Sequence, residues 1–477
     1  MRKHFLFFLL TTILFACKKD ILENEKNATL HFSTDTITFD TVFASIGSIT
    51  KILTVYNRND FDVKSNITLR GHSSANFRMN IDGVPGNSQS KIEIPAKDSI
   101  FIFLEVTIDP SSNTIPYILT DSLVFTTGIK KQDVDLVAWG QDAYFHTANT
   151  YGNIVNGTDT TRFYYHLLDC TTPWVNDKPH VIYGYAVVDP GNTLTINEGC
   201  NIYLHKNSGI IVGNPFSEFA GGSIKINGAL GNEVVFQGDR LDSWYKEIPG
   251  QWDRIWLIPG SIDNEINYAI IKNGNIGIHA DTVYNNSPTV TISNTIIENM
   301  SGIGILGQGS HITATNTVIS KCGQYAVACN IGGTYNFSHC TFANYWNYSS
   351  RNTPSILLNN YYEGGDGNVY VRDLNVANFT NCIIDGSLST EVSLQKQDIG
   401  AFNYNFDHCL IKLEPTIDTD NSYYKNVIIN QSPKFVDNDN FHLTEDSPAI
   451  DAGMGPSESD IEGNSRINPD IGAYEFE

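Results

Sequence analysis

Charge is scarce in this 477-residue chain, and basic charge is scarcer still. Only 17% of residues are charged, 30 Lys or Arg against 52 Asp or Glu, for a formal net charge of −22. Such a balance repels phosphate and argues against nucleic acid as a partner. Zinc-type spacing is missing too: the eight cysteines contain no CxxC, and Cys322 and Cys329 stand seven apart without histidines in the usual pattern. From Val181 onward no helical 3.6-residue period runs for any useful length, which excludes a helical bundle or an α/β layer there. What remains, at 41% hydrophobic residues, is a folded chain too long for one ordinary core and suited to a small domain plus a solenoid.

The solenoid is announced by one returning phrase. It reads Tyr268-Ala-Ile-Ile-Lys-Asn273, Asn294-Thr-Ile-Ile-Glu-Asn299, Asn316-Thr-Val-Ile-Ser-Lys321, His339-Cys-Thr-Phe-Ala-Asn344, Asn381-Cys-Ile-Ile-Asp-Gly386 and His408-Cys-Leu-Ile-Lys-Leu413, with starts 26, 22, 23, 42 and 27 residues apart. Periods of this size in β-branched residues, Asn and Gly indicate coils stacked one on another. Counting the first residue of each phrase as position zero, Ile292, Ala314, Phe337, Phe379 and Phe406 lie two before it in the last five, and Ile297, Ile319, Phe342, Ile384 and Ile411 three after. These sets predict the inward faces of two strands meeting at a corner, with rungs about 4.8 Å apart. Asn suits the corner because it tolerates left-handed backbone and its amide reaches the next rung. His339 and His408 then read as ladder residues, and Cys340, Cys382 and Cys409 as a buried sulfur stack. A Cys382–Cys409 bridge is geometrically marginal, because the rung spacing exceeds the usual disulfide Cβ separation of about 3.8 Å.

At the N-terminus, Met1-Arg2-Lys3 precedes an apolar run from His4 to Ala16 that is too short to span a bilayer well and reads as a secretory signal. Leu14-Phe15-Ala16-Cys17 resembles a bacterial lipobox, which implies lipidation of Cys17 and a membrane partner through that lipid. Residues 18–27 form a polar tether. With Cys17 lipidated, seven cysteines remain, an odd number that no fully paired intramolecular framework accommodates.

Residues 28–142 alternate in short runs, such as Lys51–Tyr56 and Ser99–Ile108, broken by Gly, Pro, Asn and Asp, and predict an antiparallel β-sandwich. The run Ile92-Glu-Ile-Pro-Ala-Lys-Asp-Ser before a long apolar strand resembles immunoglobulin-like modules of bacterial surface proteins, and implies a spacer or docking platform. Residues 143–180 read as a connector, with Trp174 expected at the joint between domains. From 181 to 445, strands of three to five residues without hairpin signals predict a parallel β-helix of about ten coils. Gln251-Trp-Asp-Arg-Ile-Trp256 and the phrase that follows it resemble the secreted right-handed β-helix proteins of the pectate-lyase-like superfold. Residues 446–477, with Asp470-Ile-Gly-Ala-Tyr-Glu475, resemble the closing segment of such proteins and imply a C-terminal cap over the last coil. Arg466 is expected to pair there with Asp451, Asp460 or Asp470. The fold class is therefore all-β, a sandwich followed by a solenoid.

The superfold hosts polysaccharide lyases and hydrolases, but the metal-binding Asp clusters and paired basic catalysts of pectate-type lyases have no recognisable counterpart here, and fold does not confer activity. The late interval between His339 and Asn381 is where insertions carry function in solenoids. It offers Tyr345, Trp346, Tyr348, Tyr361 and Tyr362 as rings to stack on sugars, and Arg351, Glu363, Asp366 and Arg372 as candidate acid, base or charge stabiliser. Trp244, Tyr245, Trp252 and Trp256 form a second aromatic cluster, a sugar platform or lumen filling. Asp418-Thr-Asp-Asn421 and Asp437-Asn-Asp-Asn440 carry calcium-type oxygen ligands without an EF-hand's Gly and distal Glu, so no cofactor is expected and calcium is the one ion to test. The sequence thus points to a lipid-anchored envelope protein, on the surface or facing the periplasm, that binds a glycan such as a polysaccharide, or another extracellular ligand, without catalysis. The alternatives are a lyase or glycoside hydrolase on the same scaffold and an adhesive spacer.

Overall fold

The computed structural model describes residues 28–477 except 44–46, 72–75, 109–116, 157–158, 218–220, 242–243, 282–287, 420 and 456–458. The signal, the tether and Cys17 lie outside the described residues. The chain is all-β, a β-sandwich followed by a right-handed parallel β-helix, and it divides into two compact units at Asp142/Ala143.

The sandwich is made of two five-stranded sheets. Strict alternation builds it: along Val63–Leu69 the residues Val63, Ser65, Ile67 and Leu69 are buried and their neighbours face outward. The buried sides of both sheets form one core around Phe39, Phe77, Leu104 and Phe125. The first long strand, Thr36–Phe43, pairs parallel with the last, Lys130–Gln141, while the other pairings are antiparallel.

The solenoid stacks three ladders of parallel strands. One runs from Thr193–Asn197 to Tyr424–Lys425, the second from His180–Tyr183 to Ile428–Ile429, and the third from Tyr185–Val188 to Val392–Gln395. The first and second meet at the corner that the repeated phrase marks. All six position-zero residues have left-handed backbone, with φ between 46° and 53°. Asn294 donates to Asn267 at 3.0 Å, Asn316 to Asn294 at 3.1 Å, and Asn381 bonds His339 Nε2 at 2.9 Å. One continuous core fills the lumen, including all ten residues expected to face inward. Within it Phe337, Phe379, Phe406 and Tyr424 stack at centroid spacings of 5.0, 4.9 and 5.5 Å, close to the rung repeat, as like-on-like stacking requires.

The residue after the corner repeats one bond with two chemistries. Thr295 and Thr317 hydroxyls donate to the carbonyls of Ser293 (2.7 Å) and Thr315 (3.1 Å). The thiols of Cys340, Cys382 and Cys409 do the same to Ser338, Thr380 and Asp407, at 3.3, 3.2 and 3.4 Å. That carbonyl also accepts a backbone N–H from the neighbouring rung, as Thr380 does from His339 and Asp407 from Asn381, and the short donor two residues on adds a second bond. These cysteines are free, so no Cys382–Cys409 bridge forms.

Two expectations about the ends are corrected. Residues 143–180 are not a bare connector: Tyr144–Thr147 pairs parallel with His180–Tyr183, and the hairpin Thr150–Asn156/Asp159–Leu167 pairs with the strand at Tyr185. Trp174 belongs to the solenoid's own core, stacked on His180 at 3.9 Å and His146 at 4.7 Å. The C-terminal segment does not simply close the last coil; it runs as a strap along the outer face of the second ladder. Phe441, Ile461, Ala473 and Tyr474 cover Val318 and Ala343, while Leu443, Ala449 and Ile471 cover Ile383 and Leu410. Asn316 and Asn381 side chains donate to the carbonyls of Ser459 and Met454 to hold it there. Arg466 pairs with Glu475, because Asp460 and Asp470 are already occupied by backbone N–H groups of Glu462, Asn464, Glu475, Asp451 and Phe476.

Candidate functional site

Alternation on the third ladder sends Ile210, Ile255, Ile278, Ile305, Val327 and Ile356 into the lumen. The residues after them point out and lie in register: Ile211, Trp256, His279, Leu306, Ala328, Leu357 and Ser393. Beside that column run amides on successive strands, Gln308, Asn330, Asn359 and Gln395. Of these amides Gln308, Asn330 and Gln395 are half-buried and Asn359 is buried.

At one end of this strip the side chains form a closed network. Trp256 and His279 are parallel, with centroids 5.4 Å apart and planes 2° off. Trp256 Nε1 donates to Asp281 Oδ2 at 3.2 Å, and Arg254 Nη1 approaches His279 Nδ1 at 3.2 Å. Since a guanidinium only donates, Nδ1 is the acceptor and the ring proton sits on Nε2, which donates to Gln308 Oε1 at 2.6 Å. Burial holds the His279 pKa below its ordinary value, in keeping with a neutral ring. Asp253 takes both Nε and Nη2 of Arg254, at 3.0 and 3.2 Å, together with Asn275 and the Tyr185 hydroxyl. Burial alone would raise the Asp253 carboxyl, but the bonds from Arg254 and Tyr185 outweigh it and keep the group low. The result is a rigid aromatic surface flanked by a compensated cation and a carboxylate with no proton to give.

The residues expected from the late repeat interval are placed in four different settings. Arg351 is inside the protein, its guanidinium bound to Glu391 with side-chain exposures of 1% and 0%, so it has no face for a substrate. Tyr345 is tied to Asp385 at 2.7 Å and packs on Phe441 under the strap. Trp346 and Tyr348 sit at the corner after the second ladder, rings 5.4 Å apart, and the Tyr348 hydroxyl reaches the Glu247 carbonyl. The remainder form a projecting hairpin, Tyr361–Glu363 against Val369–Val371, immediately after the third-ladder strand Ile356–Asn359. Its Tyr362 ring stacks on Tyr370 at 5.0 Å. Asp366 accepts from Tyr370 Oη and from the Asn368 backbone and amide, which takes its carboxyl down to about 2. Glu363 and Arg372 are exposed on the same hairpin. The structure therefore brings Glu363, Asp366, Arg372, Tyr361 and Tyr362 together and leaves Arg351 and Tyr345 apart from them.

The second aromatic cluster is split. Trp252 is fully buried in the lumen, its Nε1 donating to the Lys272 carbonyl at 2.8 Å. A Cβ on Gly274 would come within 2.8 Å of its ring, so that glycine makes the room. Trp256, four residues on, lies outside. Trp244 is 76% exposed, and Arg240 covers Tyr245 at 3.3 Å. Asp253, Arg254, His279 and Asp281 carry the network, and none was singled out by sequence reasoning. The available signal was the alternation Arg254-Ile-Trp-Leu257, legible only once Ile255 is known to face inward. Among the described residues no group of three or more His, Cys, Asp or Glu is placed to hold a metal. Asp437 caps its own turn through the N–H groups of Asp439 and Asn440, and Asn421 bonds the Asp418 carbonyl.

No family model matches the chain, and no curated protein does. Among solved structures it is similar to the catalytic domain of a GH87 α-1,3-glucanase in complex with nigerose, at 11% identity over 83% of this chain and 90% of that one, with a TM-score of 0.24. The catalytic unit of a thermostable GH87 α-1,3-glucanase from Streptomyces thermodiastaticus gives 8% identity, 80% and 89% coverage, and a TM-score of 0.24. A family 123 glycoside hydrolase from Clostridium perfringens is matched over 23% of this chain and only 25% of its own length, at 13% identity and a TM-score of 0.18. Likeness at this level carries no activity across, and the functional reading rests on the residues.

Proposed function

We propose that this is a lipid-anchored protein of the cell envelope that binds a polysaccharide along the outer face of its third ladder, without cleaving it. The observation that supports this most is the Trp256–His279 surface fixed by Arg254, Asp253 and Gln308. It stands at the head of the amide strip that runs on through Asn330 and Asn359 to the Tyr362/Tyr370 hairpin. Pyranose rings suit such a surface, with an apolar face on an aromatic ring and hydroxyls on planar amides and charged pairs. Hydrolysis would need one carboxyl kept protonated opposite another. On this face Asp253 and Asp366 are both held low, which favours binding over catalysis.

The remaining parts fit this reading as a display device. The sandwich, with its first and last long strands parallel, acts as an immunoglobulin-like spacer, and Cys17 as the lipidated residue on the outer membrane, its surface or its periplasmic face. The test is a glycan array with a parallel depolymerisation assay, comparing wild type with Trp256→Ala. Retention of a polysaccharide that Trp256→Ala loses, with no new reducing or unsaturated ends, supports the proposal. Appearance of such ends would move the protein to the hydrolases or lyases, and no retention would leave the spacer reading. A Cys17→Ser variant that stays in the detergent phase like wild type would overturn the anchor.

A further inference from the structure

A second feature of the solenoid lies on a different ladder and is independent of the strip just described. Where the strap crosses the outer face of the second ladder it leaves a crevice of about 380 Å³, floored by Ile270, Ile296 and Val318 and walled by Phe441 and Tyr474. That volume lies within the range of small-ligand clefts, roughly 300–1,000 Å³. Two polar groups in its lining are unused. Ser320 is fully buried, yet its hydroxyl has no hydrogen-bond partner among the described residues. The Glu298 carboxyl faces the same crevice and meets no hydrogen-bond donor and no cation at pairing distance among the described residues. Of the other charges around them, Lys321 is paired with Asp439 and His442 with Glu462, while Lys272 lies close enough to act on Glu298. A buried hydroxyl without a partner costs free energy unless something fills it, and the Glu298 carboxyl beside it is half-buried.

We infer that this crevice is a binding site for a neutral, hydroxyl-rich ring, a single pyranose unit, held by Glu298 and Ser320 against Phe441 and Tyr474. Glu298 and Ser320 are in-register neighbours on adjacent strands, about 4.8 Å apart in backbone, a spacing that lets two neighbouring hydroxyls of one ring reach one group each. The aliphatic floor and the two aromatic walls take the ring's apolar face. Charge selects against the other small-ligand classes. An anion would meet Glu298 and Asp439, while a free amine would meet Lys272 and Lys321, which lie close enough to act on Glu298. Burial pushes the Glu298 carboxyl above its ordinary range, against a downward pull from Lys272 and Lys321.

The proposal is tested by calorimetric titration of the full chain with three probes: methyl glucoside, glucosamine as a cation, and glucuronate as an anion. Saturable binding of the neutral glycoside is expected, weakened at least tenfold by Glu298→Leu and by Ser320→Ala and unchanged by Trp256→Ala. Because the Ser320 hydroxyl bonds nothing among the described residues, Ser320→Ala should fold like wild type and decides the matter even if Glu298→Leu does not. Preference for glucosamine or glucuronate overturns the ligand class. Absence of saturable binding, or binding that both crevice variants leave intact, overturns the site. Loss with Trp256→Ala alone would assign the sugar to the third ladder instead.

Discussion

Arg351 and Glu391 form a two-pronged ion pair out of contact with solvent: Nη2 meets Oε1 at 2.6 Å and Nη1 meets Oε2 at 2.8 Å. Most of the other lone pairs and protons are also bonded, with Arg351 Nε left without a partner among the described residues. Glu391 also accepts from the Ser355 N–H and hydroxyl and the Leu388 N–H, while Arg351 donates to the carbonyls of Asn344 and Thr353. The pair thereby pins the long excursion between the second and third ladders. Removing one partner strands the other charge in the interior, a loss of about 3–5 kcal/mol in comparable pairs. Arg351→Ala and Glu391→Ala should each lower the denaturant midpoint accordingly, and polysaccharide retention should persist in whatever fraction remains folded. A folded Arg351→Ala that has lost retention would return this residue to the ligand site.

Trp252 and Trp256 separate structure from binding within four residues. Trp252 fills the lumen, so Trp252→Ala should cost about 3–5 kcal/mol of stability, as large-to-small changes of buried aromatics do. Trp256→Ala should leave the melting temperature within a few degrees of wild type and reduce polysaccharide affinity tenfold or more. Paired thermal melts and affinity electrophoresis check both halves. Equal destabilisation by the two substitutions would sink the distinction.

How far the sequence discloses the fold depends on which residues physics forces to repeat. The corner between the first two ladders needs left-handed backbone and a satisfied carbonyl on every rung, so Asn, His, Thr and Cys recur there and can be counted. The third ladder has no such corner phrase, and loops of different length enter it, as at Asp239–Arg254 and Tyr345–Ser355. Its register was therefore invisible, and with it the network around His279. The strap left a trace that can be read in hindsight. Two residues after position zero stand Ile270, Ile296, Val318, Ile383 and Leu410, apolar although their side chains point outward. An apolar column on an outer face calls for a cover, and the C-terminal segment supplies it along the side of the solenoid.

The sulfur stack makes its own prediction. Cys340, Cys382 and Cys409 are fully buried and free, and burial raises the Cys382 thiol well above its usual value, as it does Cys329. Thiolate is the reactive form, so a thiol reagent at neutral pH should label none of these positions in the folded protein and all of them in denaturant. Since Thr295 and Thr317 make the same bond one or more rungs away, Cys382→Thr should keep the fold and cost less than Cys382→Val, which has no donor for the Thr380 carbonyl. Fast labelling of the native protein, or a Val variant as stable as the Thr one, would contradict the shared-bond account.

Acid should loosen the first coils of the solenoid through His146 and His180. Their rings are stacked at 5.3 Å with Nε2 of one 3.0 Å from Nδ1 of the other, and Trp174 lies against both. Burial first, then the charges of His180 and His166, takes His146 down to about 3; burial takes His180 down to about 4, against a smaller upward pull from Asp177. An unfolded histidine titrates near 6.5, so below that pH the unfolded chain binds protons that the folded chain refuses. Stability is therefore fully present above about pH 6.5 and falls as the pH drops toward the folded values. At pH 4 the two rings together should account for a loss on the order of several kcal/mol, since each pKa unit corresponds to about 1.4 kcal/mol. His146→Phe keeps the stack without the proton site, so urea midpoints measured between pH 7 and pH 4 should fall less steeply in that variant than in wild type. Equal slopes in the two proteins would place the acid sensitivity elsewhere, with His339 beneath the strap the next residue to substitute, because burial and the neighbouring Arg466 hold it at about 3 as well.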